Sequence, residues 1–406
     1  MQFKKITFKN TAGQDLSARL DFPVDSRPVA YAIFAHCFTC SKNIKAIANI
    51  SRALVREGIA VFRFDFTGLG ESEGDFADTN FSSNVDDLVA AAEFLTTEFE
   101  APRILIGHSL GGAAILQAAS KIPSSVAVAT IGAPSDPRHV IRAMGAFKEK
   151  IKTEGEAEVM LAGRPFKIKK QFLDDLELTR MQQTIQNLEK SLLIFHSPLD
   201  ETVGIENAAQ IFQTARHPKS FVSLDKADHL LTDSADSQYV GAVIAAWSQK
   251  YIDTPPGDAD QKPLTDNWVV TRTGKTGFMT EILVNGHSLV ADEPIAVGGT
   301  NMGPTPYDYL VAGLGACTSM TLRMYADHKK WPLESIRVKL KHQKVHARDC
   351  ETCETAKGML DIIDREIEVT GQLDNQQRRR LKEIADRCPV HRTLRSEVLI
   401  NTRLKD

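Results

Sequence analysis

The most constraining stretch of the chain is six residues long. "GHSLGG", residues 107–112, stands between the aliphatic run "RILIG" and the alanine-rich run "GGAAILQAASK". A buried strand that passes directly into a helix leaves a single residue to make the turn, and that residue must accept a strained backbone. Ser109 holds that place. Gly107 and Gly111 flank it, where neighbouring backbone must pass close. The alternation continues on both sides. "YAIFAH", "AVFRFD", "SVAVATIG", "SLLIFHS" and "SFVSLD" read as strands, and residues 44–57 and 84–99 as helices. Apolar strands alternating with helices specify a mostly parallel sheet covered on both faces.

At 406 residues the chain exceeds what one hydrophobic core usually serves, so two domains are expected. The seam is "IDTPPGDADQKPLTDN", residues 252–267, rich in proline and aspartate and poor in apolar residues. It separates residues 1–251 from 268–406. A net charge of -3 gives no electrostatic case for nucleic acid. The arginine-rich "QQRRRLKE" reads as the wet face of a helix. The first residues, "MQFKKITFKN", contain no apolar signal core, and no apolar run reaches a membrane span. A cytoplasmic protein is expected, with its six cysteines reduced.

A serine exposed on such an elbow becomes a nucleophile when a histidine takes its proton and a carboxylate orients the histidine. "LLIFHSPLDETV" puts Asp200 just past a later strand, and "FVSLDKADHLL" puts His229 past the next. The order Ser109, Asp200, His229 is the one this architecture requires. His196 lies within the strand end and reads as a packing histidine. Asp225 and Asp228 are too close to His229 in sequence to orient it. "DFTGLGESEG", residues 65–74, lacks the G-x-G-x-x-G spacing of a dinucleotide site and reads as support beneath the site. Residues 136–190 break the alternation, with a hairpin around residues 162–163, and read as a cap.

On these motifs residues 1–251 resemble the α/β-hydrolase family, particularly small esterases with an H-G-F loop. Here that loop is "AHCFTC", with Cys37 in the glycine's place. The resemblance implies an oxyanion hole made by the backbone N–H groups of Leu110 and Phe38, with no cofactor. Cys37 and Cys40 form a lone C-x-x-C pair, a spacing that a redox disulfide or a metal site also uses; the resemblance leaves them as incidental thiols. Esters or thioesters of small carboxylic acids are the expected substrates.

Beyond the seam, "WVVTRT", "GFMTEILVN" and "HSLVAD" read as short antiparallel strands, and residues 305–331 as a long helix capped by Thr305 and Pro306. Leu310, Gly313, Leu314, Cys317, Met320 and Met324 are expected to form its buried stripe. A further helix starts at Asp374 and carries Leu381, Ile384, Ala385 and Cys388 inward. "SIRVKLKHQKV", "DIIDREIEVTG" and "SEVLINT" are expected strands of an α+β domain. Taken alone, buried thiols at 317 and 388 could be plain core residues.

"GPTPYDYLVAGLGACTSM" and "IADRCPVHRTL" resemble the two cysteine motifs of the OsmC/Ohr family of thiol peroxidases. The resemblance implies a peroxidatic Cys317, a resolving Cys388, an organic hydroperoxide substrate, an external dithiol reductant and a homodimer. Where that family has a glutamate, this sequence has Tyr307, with Asp308 one residue on; Arg272 is the nearest arginine candidate. The alternative is an esterase whose second domain is a non-catalytic dimerisation or ligand-binding module. His342, His346, Cys350 and Cys353 have residue types that suit zinc, without finger spacing. An exposed loop is the simpler reading.

Overall fold

The computed structural model describes residues 2–23, 28–37, 40–143, 145, 147–161, 164–252, 268–285, 287–346 and 359–404. The expected linker, apart from Ile252, lies outside the described residues. By compactness the chain divides into a first unit, Met1–Gly274 with Glu281–Leu289, and a second, Lys275–Thr280 with Val290–Asp406.

The first unit is built on β1 (Gln2–Lys9), β2 (Asp15–Phe22), β3 (Ala30–Ala35), β4 (Ile59–Phe64), β5 (Ile104–His108) and β6 (Ala127–Ile131). An excursion then carries the hairpin β7 (Glu156–Leu161) and β8 (Arg164–Lys169), and the sheet resumes with β9 (Ser191–His196) and β10 (Lys219–Ser223). The eight-stranded order is β1-β2-β4-β3-β5-β6-β9-β10. β1 and β2 run antiparallel at one edge, and from β4 onward neighbours are parallel. β3, β4, β5, β6 and β9 are buried along their whole length, as strands covered on both faces must be.

Helices α1 (Lys45–Arg56), α2 (Phe81–Glu98) and α3 (Leu110–Ala118) fill the crossovers. The excursion adds α4 (His139–Ala143), α5 (Phe147–Glu154), α6 (Lys170–Leu178) and α7 (Met181–Gln186), and α8 (Glu206–Thr214) and α9 (Ser234–Ser248) follow. Two apolar clusters result. One packs Ile47, Ile50, Leu54, Val240 and Ile244 of α1 and α9 against one face of the sheet. The other packs Leu88, Ile115, Leu116 and Ile211 of α2, α3 and α8 against the opposite face. The excursion joins this second cluster through Ile151, Val159, Phe172 and Leu176. Phe166 meets Phe76 edge-on and Thr184 donates to Gln117, so it is packed down rather than loose.

A three-stranded sheet follows, β11 (Val270–Thr273), β12 (Thr280–Val284) and β13 (His287–Ala291). The second unit then holds α10 (Pro306–His328), a long hairpin of β14 (Leu333–His346) and β15 (Met359–Gly371), α11 (Asn375–Ala385) and α12 (Pro389–Leu394). Thr305 and Asp374 both close capping boxes, with Asp308 and Gln377 as the returning partners. The core of this unit is Leu322, Ala326, Leu333, Leu381, Ile384 and Ala385.

Two expectations fail here. The stripe of Leu310, Gly313, Met320 and Met324 is exposed, with Met320 and Met324 about two-thirds to three-quarters open; only Leu314 of the apolar set is buried. The face of α10 turned inward is Leu314, Thr318, Leu322 and Ala326, which repeats at helical spacing equally well. "SEVLINT" forms no strand, and Val398, Leu399 and Ile400 are exposed. A segment of strand composition becomes a strand only where a ladder partner takes its N–H and C=O groups.

Candidate active site

β5 ends at His108, α3 begins at Leu110, and Ser109 alone makes the turn with φ 56° and ψ −127°. Such backbone is costly for a residue with a side chain and is held only where its surroundings enforce it. They do so here. Ser109 N–H donates to Ile131 O at 2.9 Å, which ties the elbow to β6. A Cβ on Gly111 would come within 2.6 Å of Ala35 O, and one on Gly107 within 2.7 Å of Gly112 Cα. Both glycines are therefore required by close backbone approach.

The three residues expected from the sequence converge. Ser109 Oγ lies 3.0 Å from His229 Nε2, and His229 Nδ1 lies 2.7 Å from Asp200 Oδ2. A carboxylate only accepts, so Nδ1 carries the proton and Nε2 is left to accept from the serine hydroxyl. Asp200 Oδ1 also accepts from the N–H groups of Thr202 and Val203, at 2.9 and 2.8 Å. Burial pushes the Asp200 carboxyl up, but the His229 bond and these two N–H groups outweigh it and hold the acid below its ordinary range. This set can move a proton from Ser109 to His229 while Asp200 fixes the imidazole.

The rivals hold other hydrogen bonds. His196 is buried and its Nε2 bonds Val203 O at 2.7 Å, while lying 3.7 Å from Asp200 Oδ2. Asp225 accepts from Ser223, and Asp228 from Thr232.

Leu110 is the first residue of α3, and a helix makes no use of its own first N–H groups. Its N–H is thus available beside the serine. Phe38, the other expected donor, lies outside the described residues. Cys37 and Cys40 are not the free thiols expected: they are joined as a disulfide, with Cα atoms 5.3 Å apart. That separation suits a disulfide.

The segment around this pair is anchored on Asp65. Lys42 N–H donates to Asp65 Oδ1 at 2.7 Å, Lys42 Nζ meets Oδ2 at 2.5 Å, and Glu71 N–H donates to Oδ2 at 3.0 Å. His36 Nε2 lies 3.6 Å from Oδ1. The "DFTGLGESEG" loop therefore supports the segment after β3, as its position suggested.

Two contributors escaped the sequence reading. His108 Nε2 bonds the carbonyl of His229 at 2.6 Å, and burial pushes its pKa down to about 4, so it stays neutral and donates. Nothing distinguishes the variable position of G-x-S-x-G as structural. Gly132, at φ +54°, packs against the acid–base pair, where a Cβ would lie 3.2 Å from Asp200 Oδ2 and 3.3 Å from His229 Nδ1. Its place at the end of "SVAVATIG" was the available signal.

In the second unit Cys388 is buried and caps α12, its Sγ accepting from His391 N–H at 3.3 Å. Its side-chain neighbour is Thr318, at 3.7 Å. Arg365 donates to Thr318 Oγ1 at 3.1 Å and pairs with Asp386 at 2.6 Å. Cys317 is half-buried and a free thiol, not the centre of a buried stripe. Tyr307 stacks on His342 with ring centres 4.1 Å apart, and His342 Nε2 bonds Asp361 at 2.8 Å. Asp308 is occupied in the α10 cap. In the first unit Arg272 pairs with buried Glu281 at 2.6 Å. Cys350 and Cys353 lie outside the described residues, as does the side chain of His346. No group of three or more His, Cys, Asp or Glu able to hold a metal is found among the described residues. No described helix is long and apolar enough to cross a membrane.

Comparison with known proteins finds relatives of both parts of the chain. The family model for serine aminopeptidase, S33, matches residues 28–154, and that for OsmC-like protein matches residues 299–403. The crystal structure of the esterase domain of a Rhodothermus marinus protein is 56% identical, covering 62% of this chain and 100% of that one, with a TM-score of 0.53. Est1E from Butyrivibrio proteoclasticus, solved with ferulic acid bound, shares the fold at 20% identity, over 61% of this chain and 99% of that one, with a TM-score of 0.54. The mitochondrial palmitoyl-protein thioesterase ABHD10 of Rattus norvegicus is 25% identical over 221 residues, 50% of this chain and 70% of that one. With the Rhodothermus marinus domain matched along its whole length, the chain belongs to the α/β-hydrolase family as an esterase-type hydrolase, and it carries an OsmC-family domain after the hydrolase.

Proposed function

We infer that the first functional unit, residues 1–251, is a serine hydrolase of small carboxylic esters or thioesters. Ser109 attacks the acyl carbon while His229 takes its proton, Asp200 fixes the imidazole, and His229 returns the proton to the leaving group. The N–H groups of Leu110 and Phe38 stabilise the oxyanion. Residues 136–190 act as the cap that selects the acyl group. The carrying observation is the continuous chain from Ser109 Oγ through His229 to Asp200, at 3.0 and 2.7 Å. The thioesterase name of the rat relative supports including thioesters. A matched series of p-nitrophenyl esters and acyl thioesters, from two to sixteen carbons, tests the reading. Turnover of the short members, lost in Ser109→Ala, is expected; no turnover of any member rejects it.

For residues 268–406, joined through 252–267, the OsmC resemblance supports a homodimer whose Cys317 reduces an organic hydroperoxide. Cys388 resolves the sulfenic acid as a disulfide, and an external dithiol restores both thiols. A specific observation favours a second reading, a non-catalytic dimerisation module. Tyr307 and Asp308 are both engaged, in a stack and a cap, while Leu310, Met320 and Met324 form an exposed apolar stripe. One equivalent of organic hydroperoxide followed by disulfide mapping separates the two: a Cys317–Cys388 bridge supports the peroxidase, and two intact thiols support the module. The cytoplasm is the proposed location.

A further inference from the structure

The Cys37–Cys40 pair follows the strand beside the one that delivers Ser109. Cys37 follows β3 by two residues, and β3 lies beside β5, the strand that delivers Ser109. The backbone entering the pair touches the helix that starts at the nucleophile, since Gly111 has room for no Cβ against Ala35 O and His36 O. The backbone leaving the pair is fixed two residues later, where Lys42, 3% exposed, gives both its N–H and its ammonium to Asp65. His36 lies against the same carboxylate. The disulfide closes the span between these anchors. Cys37 is buried, while Cys40 is half-exposed, so one sulfur is within reach of a thiol in solution.

We propose that Cys37–Cys40 is a thiol–disulfide exchange site that sets the turnover of the serine centre. The inference rests on the serine-hydrolase reading given above. The thiolate of an external dithiol attacks Sγ of Cys40, breaking the bond to Sγ of Cys37, which leaves as a thiolate and takes a proton. The second thiol of the reagent then displaces Cys40 from the mixed disulfide, and the reagent departs as a disulfide. Two electrons and two protons pass from the reagent to the protein. The proposed donor Phe38 stands between the two cysteines in sequence, so the closed bond ties the residues on either side of it to each other. Opening it costs preorganisation at the oxyanion without displacing the anchored flanks. Complete loss of one oxyanion donor lowers kcat by roughly 10²–10³, so loosening one lowers it by about 3- to 30-fold, with KM within about two-fold.

The test uses the full chain, in the native sequence and in a Cys317→Ser/Cys388→Ser background that silences the other described thiols. Each is equilibrated in oxidised or reduced dithiothreitol, assayed with p-nitrophenyl acetate, alkylated and mapped by peptide mass. Expected are a bridge on the 37–40 peptide in the oxidised form and the stated fall in kcat on reduction, regained on reoxidation. Cys37→Ser/Cys40→Ser should sit at the reduced value and ignore the reagent. Alkylated cysteines in the oxidised sample, or equal kcat in the two mapped forms, overturn the proposal alone. Absence of hydrolysis in both forms overturns the serine reading and this proposal with it.

Discussion

Replacing Asp65 with asparagine strikes the anchor beneath the segment that follows β3. The carboxylate is 1% exposed and its partner ammonium on Lys42 is 4% exposed, so water compensates neither charge. Removing one member of a buried pair costs about 3–5 kcal/mol because the survivor is left uncompensated. Here Lys42 keeps Glu71 at 2.8 Å and Ser17 at 3.0 Å, which places the charge term at or below the lower end of that range. An amide also offers one acceptor where the carboxylate had two, so either the Lys42 N–H or the Glu71 N–H goes unsatisfied, at about 1–3 kcal/mol. Together these give a loss of about 3 kcal/mol. At about 2–4 °C per kcal/mol for a unit of this size, the first melting transition of the full chain falls by roughly 6–12 °C. Circular dichroism at 222 nm measures it. Lys42→Met and the double variant complete a cycle, in which Asp65→Asn should cost less once the ammonium is gone. A change below about 0.5 kcal/mol in Asp65→Asn, the size of an ordinary surface substitution, would refute the role of Asp65 as a buried anchor.

Other perturbations follow from the same geometry. Asp200→Asn presents a donor to the Nδ1–H of His229 and favours the wrong tautomer; kcat should fall by about 10³–10⁴ with the fold intact, read by steady-state kinetics and circular dichroism. Gly132→Ala forces a Cβ at positive φ against Asp200 and His229, and should cost about 1–2 kcal/mol of stability and lower kcat rather than raise KM. His108 has a folded pKa pushed down to about 4 from an ordinary value of 6.5, so the unfolded chain takes up the proton first. Its contribution is fully present above pH 6.5 and is lost as pH falls from 6.5 to about 4, a window worth about 3 kcal/mol. Urea midpoints across that window should fall less steeply in His108→Gln; parallel slopes would contradict it.

The elbow was legible because a buried strand, one turn residue and a helix admit few alternatives, and loop order alone pointed to Asp200 and His229 as the residues that converge on Ser109. The edge pair β1 and β2 went unread, although Ile6, Phe8, Leu16, Ala18 and Leu20 are buried at alternate positions, the strand period. On α10 two stripes repeat at helical spacing. Periodicity finds stripes, but which one turns inward depends on partners far along the chain, here Leu381 and Ile384 of α11. The strand expected at "SEVLINT" fails for the same reason, since strand composition does not supply a neighbour. Compartment chemistry argued for reduced cysteines, and a lone C-x-x-C spacing at Cys37 and Cys40 is too weak a signal to outweigh it, although the pair is in fact bonded. His108 stayed hidden because its function is a bond to a main-chain carbonyl, and such a bond leaves no mark on spacing.

The most direct measurement is covalent. Native full-length protein is treated with a fluorophosphonate, digested, and the modified peptide is identified by mass, with Asp200→Asn alongside. A single adduct on Ser109 is expected, formed far more slowly in Asp200→Asn because His229 is then held in the wrong tautomer. An unmodified Ser109 in protein that is folded by circular dichroism, or an adduct on another serine, would contradict it.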